Sequence, residues 1–130
     1  MSVITAVEGA KFRAMLRSRA TVLREEIRQA LLRSDQEHYV AIAEQARDAE
    51  DDSFADLIVD VNLAEVDRDL AELREIDVAL ERLAEGTYGR CETCAEEIDR
   101  ARLEVQPAAV RCLACQAAFE KSHPQSTPSL

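Results

Sequence analysis

The sequence predicts a mainly α protein: a long antiparallel helical hairpin with coiled-coil character, followed by a four-cysteine finger and a short C-terminal helix. Three observations predict it. Apolar residues recur at helical spacing along two stretches of residues 6–86. A polar, acid-rich interruption separates the two stripes. All four cysteines of the 130-residue chain stand as two C-x-x-C pairs after the second stripe. Three Gly, three Pro and 4% aromatic residues suit long helices better than a broad mixed core.

The first few residues, Met1 to about Thr5, read as a loose start. From about Val7 onward Phe12, Leu16, Ala20, Leu23, Ile27 and Ala30 recur three and four apart, one apolar stripe on a helix. No proline interrupts residues 6–106. Ser34-Asp35 loosens the helix, and Tyr39, Ile42 and Ala46 resume the stripe. Arg47 to Ser53 is polar, acidic and without apolar periodicity, which predicts a turn. Asp52 or Ser53 offers a side-chain oxygen as N-cap of the next helix, and acids there suit the positive end of its dipole.

In the second helix Val59, Leu63, Val66, Leu70 and Leu73 step by four, three, four and three. Ile76, Leu80 and Leu83 continue the seam after one shifted step, and this 3.5-residue repeat is a coiled-coil signal. Gly86 is the C-cap candidate. Neither helix can bury its stripe alone, and a short turn makes the two antiparallel neighbours. The acidic segment 48–56 then forms the hairpin's tip. Charge supports the pairing: residues 11–33 carry seven bases against two acids, and residues 54–86 carry ten acids against three bases. The hairpin spans 6–86, the finger with its helix spans 87–121, and the tail 122–130 reads as disordered.

Cys91, Cys94, Cys112 and Cys115 leave seventeen residues between the two pairs, a spacing that reads as a metal site. Two facing turns make a tetrahedral thiolate cage about 2.3 Å from a central zinc. Iron also accepts a four-thiolate site. No signal-peptide pattern and no run of eighteen apolar residues is visible, which predicts a cytoplasmic chain with reduced thiols and no membrane span. Four protein ligands close the coordination sphere, whereas catalytic zinc needs an open position.

The formal charge of −10 argues against general nucleic-acid binding. In the finger Arg90, Arg100, Arg102 and Arg111 are outnumbered by Glu92, Glu96, Glu97, Asp99 and Glu104, and Tyr88 is the lone aromatic residue of 87–118. An enzyme is not predicted. His38 and His123 have no nucleophile beside them, and there is neither a Gly-rich phosphate loop nor a His-Glu metal motif.

Tyr88-Gly89-Arg90-Cys91-Glu92-Thr93-Cys94, Ile98, Arg102-Leu103-Glu104, Pro107-Ala108 and Cys112-Leu113-Ala114-Cys115, preceded by Leu80 to Thr87, resemble the DksA/TraR-type zinc finger. The likeness is specific through residues 60–118 and rests on architecture over 10–60. It implies a monomeric bacterial transcription regulator that binds RNA polymerase and not DNA, inserting its hairpin into the secondary channel. The family's tip motif Asp-x-x-Asp-x-Ala falls, counted without gaps, on Asp48 to Ser53. Asp48 and Asp51 match, Ser53 stands where Ala is expected, and Asp52 and Asp56 are further candidates. Arg68 falls where the family has a polymerase-contacting Arg. Glu75, Gln106 and Gln116 fall where DksA has basic residues for guanosine tetraphosphate, which implies little or no response to that nucleotide. The alternative function is a zinc-containing coiled-coil adaptor without channel activity.

Overall fold

The structure, a computed structural model, describes residues 4–123. Residues 124–130 of the predicted tail lie outside the described residues, as do 1–3. Among the described residues six helices follow one another: α1 (Ala6–Arg33), α2 (Glu37–Arg47), α3 (Asp51–Leu57), α4 (Ala64–Glu85), α5 (Arg100–Val105) and α6 (Leu113–Ser122). They fall into two units, a metal-bearing one of residues 4–16 and 78–123 and a helical one of residues 17–77. Helices α1 and α4 contribute to both. Among the described residues no helix is long and apolar enough to cross a membrane.

Helix α1 has a specified beginning, which corrects the expected loose start. The Thr5 hydroxyl accepts from the Glu8 N–H, and the Glu8 carboxylate accepts from the Thr5 N–H, both at 3.1 Å. This reciprocal capping box satisfies two of the helix's orphan donors. All six predicted stripe residues, Phe12, Leu16, Ala20, Leu23, Ile27 and Ala30, are buried. The helix ends where Ser34 offers the backbone a local partner. Its hydroxyl accepts from the Gln36 N–H at 3.1 Å, in place of a helical carbonyl.

In the helical unit α2 buries Tyr39, Ala43 and Ala46, α3 buries Phe54, and α4 buries Val66, Leu70, Leu73 and Ile76. Asp48 closes α2, and Glu50, without a side-chain cap bond, begins α3 in place of the expected Asp52 or Ser53. The expected unbroken helix over 54–86 is also corrected. The chain leaves helix at Ile58 and re-enters it at Ala64. Val59, assigned to the seam, is 62% exposed, while Ile58 and Val61 are buried. Val59-Asp60-Val61-Asn62 joins β-branched residues to side chains that compete for backbone bonds, a run of weak helix formers. The buried Tyr39 hydroxyl accepts the Asn62 N–H at 3.1 Å, which offsets the lost helical bond.

Charge complementarity takes concrete form in this unit. Arg19 makes two bonds to Glu72 at 2.7 and 2.9 Å, Arg33 meets Glu65 at 3.1 Å, and Arg24 meets Asp51 at 3.3 Å. Exposed pairs of this kind contribute about 0–1 kcal/mol each, so they select register more than they stabilise. The Arg24–Asp51 pair shows where α2 and α3 go. Arg24 lies nine residues before the end of α1, about 13 Å along its axis. The chain therefore reverses between Arg33 and Asp51, which brings the start of α3 beside α1, and α2 packs against α3.

Candidate metal centre

The metal-bearing unit is organised by short backbone bonds. Gly86 ends α4 at φ +80°, and the Thr87 and Tyr88 N–H groups both donate to the Arg82 carbonyl at 2.9 and 3.2 Å. Gly89 also has positive φ, and a β-carbon there would lie 2.9 Å from Ile4 Cγ1, so only glycine fits. The first cysteine turn follows. The Cys91 N–H donates to the Glu96 carbonyl at 2.8 Å, and the Ala95 N–H donates to the Cys91 carbonyl at 3.0 Å. Ala95 takes φ 67°, the left-handed residue that reverses the chain after Cys94. The second turn is the start of α6. Cys112 is its N-cap, and its sulfur accepts from the Cys115 N–H at 3.5 Å.

Several groups hold the two turns face to face. The Glu92 N–H donates to the Val110 carbonyl at 2.8 Å, and the Tyr88 hydroxyl donates to the Pro107 carbonyl at 2.7 Å. Arg111 bonds Glu92 at 2.7 Å and lays its guanidinium 3.7 Å from the Phe119 ring centre. Phe119 is thus covered by Arg111 on one side and stacks with His123 at 4.1 Å. Sequence reasoning missed this supporting shell. Arg111 and Glu92 read there as unremarkable charges, because a salt bridge closed over nineteen residues leaves no local pattern.

All four sulfurs lie within 4.8 Å of one another, and Cys94 and Cys112 are 3.9 Å apart. A tetrahedral site with 2.3 Å zinc–sulfur bonds has edges of about 3.8 Å, so the cage already has zinc dimensions. Each cysteine is a free thiol, with Cys91 buried and Cys94 exposed. Burial pushes the Cys91 thiol up, but N–H groups of Cys112, Cys94 and Thr93 outweigh it and bring the thiol down to about 6. Cys115, sharing hydrogen bonds with Cys112 and Cys91, is pushed up to about 12. Without metal the cage thus favours one thiolate and resists more. A zinc ion held by these sulfurs would supply the charge that deprotonates the rest, so its binding would release protons and weaken in acid. The donor set and its dimensions fit a structural zinc ion held by Cys91, Cys94, Cys112 and Cys115.

The other predicted site residues lie in the helical unit. Asp48 is exposed beside Arg47 at 3.8 Å, and Asp51 is 79% exposed yet held by Arg24. Ser53 is exposed in the first turn of α3, and its N–H donates to the Glu50 carbonyl at 3.0 Å. Asp52 has its backbone in α3, while its side chain lies outside what the structure describes. Arg68 stands on α4, exposed, lining an open groove of about 410 Å³ with Glu25, Glu26, Arg33, Glu65 and Asp69. The structure thus gathers the four cysteines at one point and Asp48, Asp51 and Ser53 on one turn and helix, with Arg68 on a different helix. Of the positions counted for nucleotide binding, Gln106 caps α5 and Gln116 bonds Glu120 at 2.9 Å.

The fold and the cage define a helical protein with a closed four-thiolate zinc finger. Residues 86–121 match the prokaryotic dksA/traR C4-type zinc finger. The chain is 44% identical over 68 residues to an uncharacterized protein of Aquifex aeolicus (strain VF5), covering 52% of this chain and 46% of that one. It is 40% identical over 55 residues to the RNA polymerase-binding transcription factor DksA of Caulobacter vibrioides (strain NA1000 / CB15N), covering 42% of this chain and 39% of that one. The structure of transcription factor DksA2 from Pseudomonas aeruginosa superposes with a TM-score of 0.61 at 26% identity, covering 95% of this chain and 91% of that chain. The matches span less than half the length of these curated relatives. Residues 86–121 are thus a dksA/traR C4-type zinc finger, and the chain as a whole is similar in fold to DksA2.

Proposed function

We propose that this chain is a transcription regulator that binds bacterial RNA polymerase through the secondary channel and modulates initiation with the acids of residues 48–53. What supports the reading is one combination: a DksA-like fold over 95% of the chain joined to a zinc-sized four-thiolate cage. The zinc-bearing unit anchors the chain and performs no chemistry on a substrate. Asp48 and Asp51 supply negative charge, with Asp52 and Ser53 beside them, and Arg68 contacts the polymerase. Carboxylates suit the hard magnesium ion of a polymerase active centre and the bases around it. The acidic net charge leaves DNA to the polymerase. Glu75, Gln106 and Gln116 offer no cation to a guanosine tetraphosphate, so its response is weak or absent. The protein acts as a cytoplasmic monomer and not as an enzyme.

The zinc-loaded chain is tested by pull-down with bacterial RNA polymerase, competed by a known channel-binding factor. Retention that the competitor displaces supports the reading, and no retention overturns it. Asp51→Asn is expected to keep polymerase binding and lose the effect on initiation. Unchanged regulation by that variant would instead favour a zinc-containing coiled-coil adaptor. Guanosine tetraphosphate titrated into the same assay is expected to add nothing, and clear synergy would defeat that part.

A further inference from the structure

We infer that zinc occupancy controls the seating of the start of α1: residues 4–12 dock on the finger when the cage holds its ion and come away when it does not. This coupling lies within the metal-bearing unit and is independent of polymerase binding.

Four residues at the N-terminal end of α1 reach residues 88–104. Ile4 lies so close to the backbone of Gly89 that a β-carbon there would sit 2.9 Å from its Cγ1, and the same β-carbon would lie 3.8 Å from Leu103 Cδ1. Phe12, 1% exposed, sets its ring centre 5.4 Å from that of Tyr88. Glu8 meets Arg100 at 3.1 Å, and Lys11 bonds Glu104 at 2.9 Å. Glu8 gives its other carboxylate oxygen to the Thr5 N–H, so the finger also steadies the cap of the helix. A further contact runs to α4: Gly9 is buried, and a β-carbon on it would lie 3.7 Å from Leu83.

The seat of α1 and the first cysteine turn are one stretch of backbone. Tyr88 and Gly89 stand three and two residues before Cys91. The Gly89 carbonyl accepts the Ile98 N–H at 2.8 Å, and the Glu96 carbonyl accepts the Cys91 N–H at 2.8 Å. The side chains buried in this stretch are Tyr88, Cys91, Ile98 and Leu103. So small a core leaves its order to the metal, whose four sulfur ligands lie within 4.8 Å of one another. When the ion leaves, the surface under Ile4 and Phe12 is lost with it.

Beyond Leu16 the support of α1 changes. Ala20, Leu23, Ile27 and Ala30 are buried in the helical unit, and Arg19 bonds Glu72 there at 2.7 Å. Loss of the finger therefore frays α1 from its N-terminus and leaves the rest of the helix standing, since helix ends open at low cost. The coupling is reciprocal: if zinc favours the seated form by some factor, unseating weakens zinc binding by that same factor.

Amide exchange of the full chain, first zinc-loaded and then stripped with a chelator, tests the forward direction. Amides of residues 10–14 are expected to lose roughly tenfold or more in protection on stripping, while those of 23–31 keep theirs. Protection at 10–14 that survives stripping overturns the coupling. So does a metal-free chain in which 23–31 open as well, because the effect would then not be confined to the start of α1. Zinc affinity, measured by competition with a chromophoric chelator, tests the reverse direction. Phe12→Ala, at a position that is no ligand, is expected to bind zinc roughly tenfold more weakly. Should that chain fail to fold, Lys11→Glu sets like charge against Glu104 and leaves the core intact. It is expected to weaken zinc about threefold, and adding Glu104→Lys should restore the parent's affinity. Parent-like zinc affinity in a folded Phe12→Ala chain, or in Lys11→Glu where the former does not fold, overturns the coupling. A loss in Lys11→Glu that the charge swap does not restore overturns it too.

Discussion

The two units solve the same problem with opposite means. In the helical unit, residues 17–77 are held by side chains such as Leu23, Ile27, Leu31, Phe54, Ile58 and Val66, all nearly inaccessible to water. In the finger, residues 87–123 bury Tyr88, Cys91, Ile98 and Leu103 and little else. A segment that small cannot stabilise itself through apolar burial, and a metal ion commonly replaces the missing core. One unit should thus depend on zinc and tolerate apolar truncation elsewhere, while the other should do the reverse.

Removing a ligand breaks that comparison most strongly. Structural zinc contributes about 10–16 kcal/mol in isolated finger peptides, as much as the whole net stability of a typical domain. Cys112→Ser should therefore lose bound zinc and also the sulfur that accepts the Cys115 N–H at the start of α6. Zinc stoichiometry should fall to near zero, and amides of 87–118 should lose exchange protection while those of 17–77 keep theirs. Full metal retention in that variant would contradict the ligand assignment. The reverse experiment is Ile27→Ala. Ile27 is completely buried in the helical unit, and such truncations cost about 2–5 kcal/mol. The helical unit should melt earlier with zinc stoichiometry unchanged; zinc loss in parallel would show that the two units are not separately supported.

The same contrast explains which parts were legible in the sequence. The thiolate cage was, because four cysteines at C-x-x-C spacing carry their chemistry with them and need no tertiary context. The α1 stripe was too, since Phe12 to Ala30 obey one period without a break. The seam of α4 was readable from Val66 onward, but Val59 was assigned to the wrong face. The chain leaves helix between them, and a period extrapolated across a break rotates every residue beyond it. What restores order there, Tyr39 reaching Asn62, is a tertiary bond with no local signature. The Thr5-x-x-Glu8 box was a local signal and readable, but no apolar run starts directly behind it.

Smaller substitutions sharpen the comparison at its edges. Tyr88→Phe removes the hydroxyl that donates to the Pro107 carbonyl and should cost about 1–3 kcal/mol, because a part-buried carbonyl loses its partner. Zinc affinity is the measurement, since the lost bond ties the approach of the second cysteine pair to the first. A melt of the helical unit should not move. Thr5→Ala deletes half of the capping box and should cost about 1 kcal/mol, read as faster exchange in the first turn of α1.

The smallest expected effect concerns Asp69 on α4, and it runs against the usual direction. Burial raises its carboxyl above the ordinary range, and the nearby Glu26 and Glu72 raise it further, with Arg19 opposing them. The folded state therefore binds a proton more readily than the unfolded state does. Between the ordinary carboxylate value of 3.8 and the raised folded value, this group stabilises the fold as pH falls. Above that window both states are ionised, and the helical unit carries the full penalty of a partly buried carboxylate beside Glu26. Asp69→Asn removes the penalty, so at pH 7 it should stabilise residues 17–77 by up to about 0.5 kcal/mol. The advantage should shrink as pH falls through the raised value and vanish below the ordinary one. Zinc thiolates also protonate in acid, so the difference between variant and parent must be read from amides of the helical unit. An Asn variant that is less stable at pH 7, or whose advantage grows in acid, would show that Asp69 serves the fold as a charge.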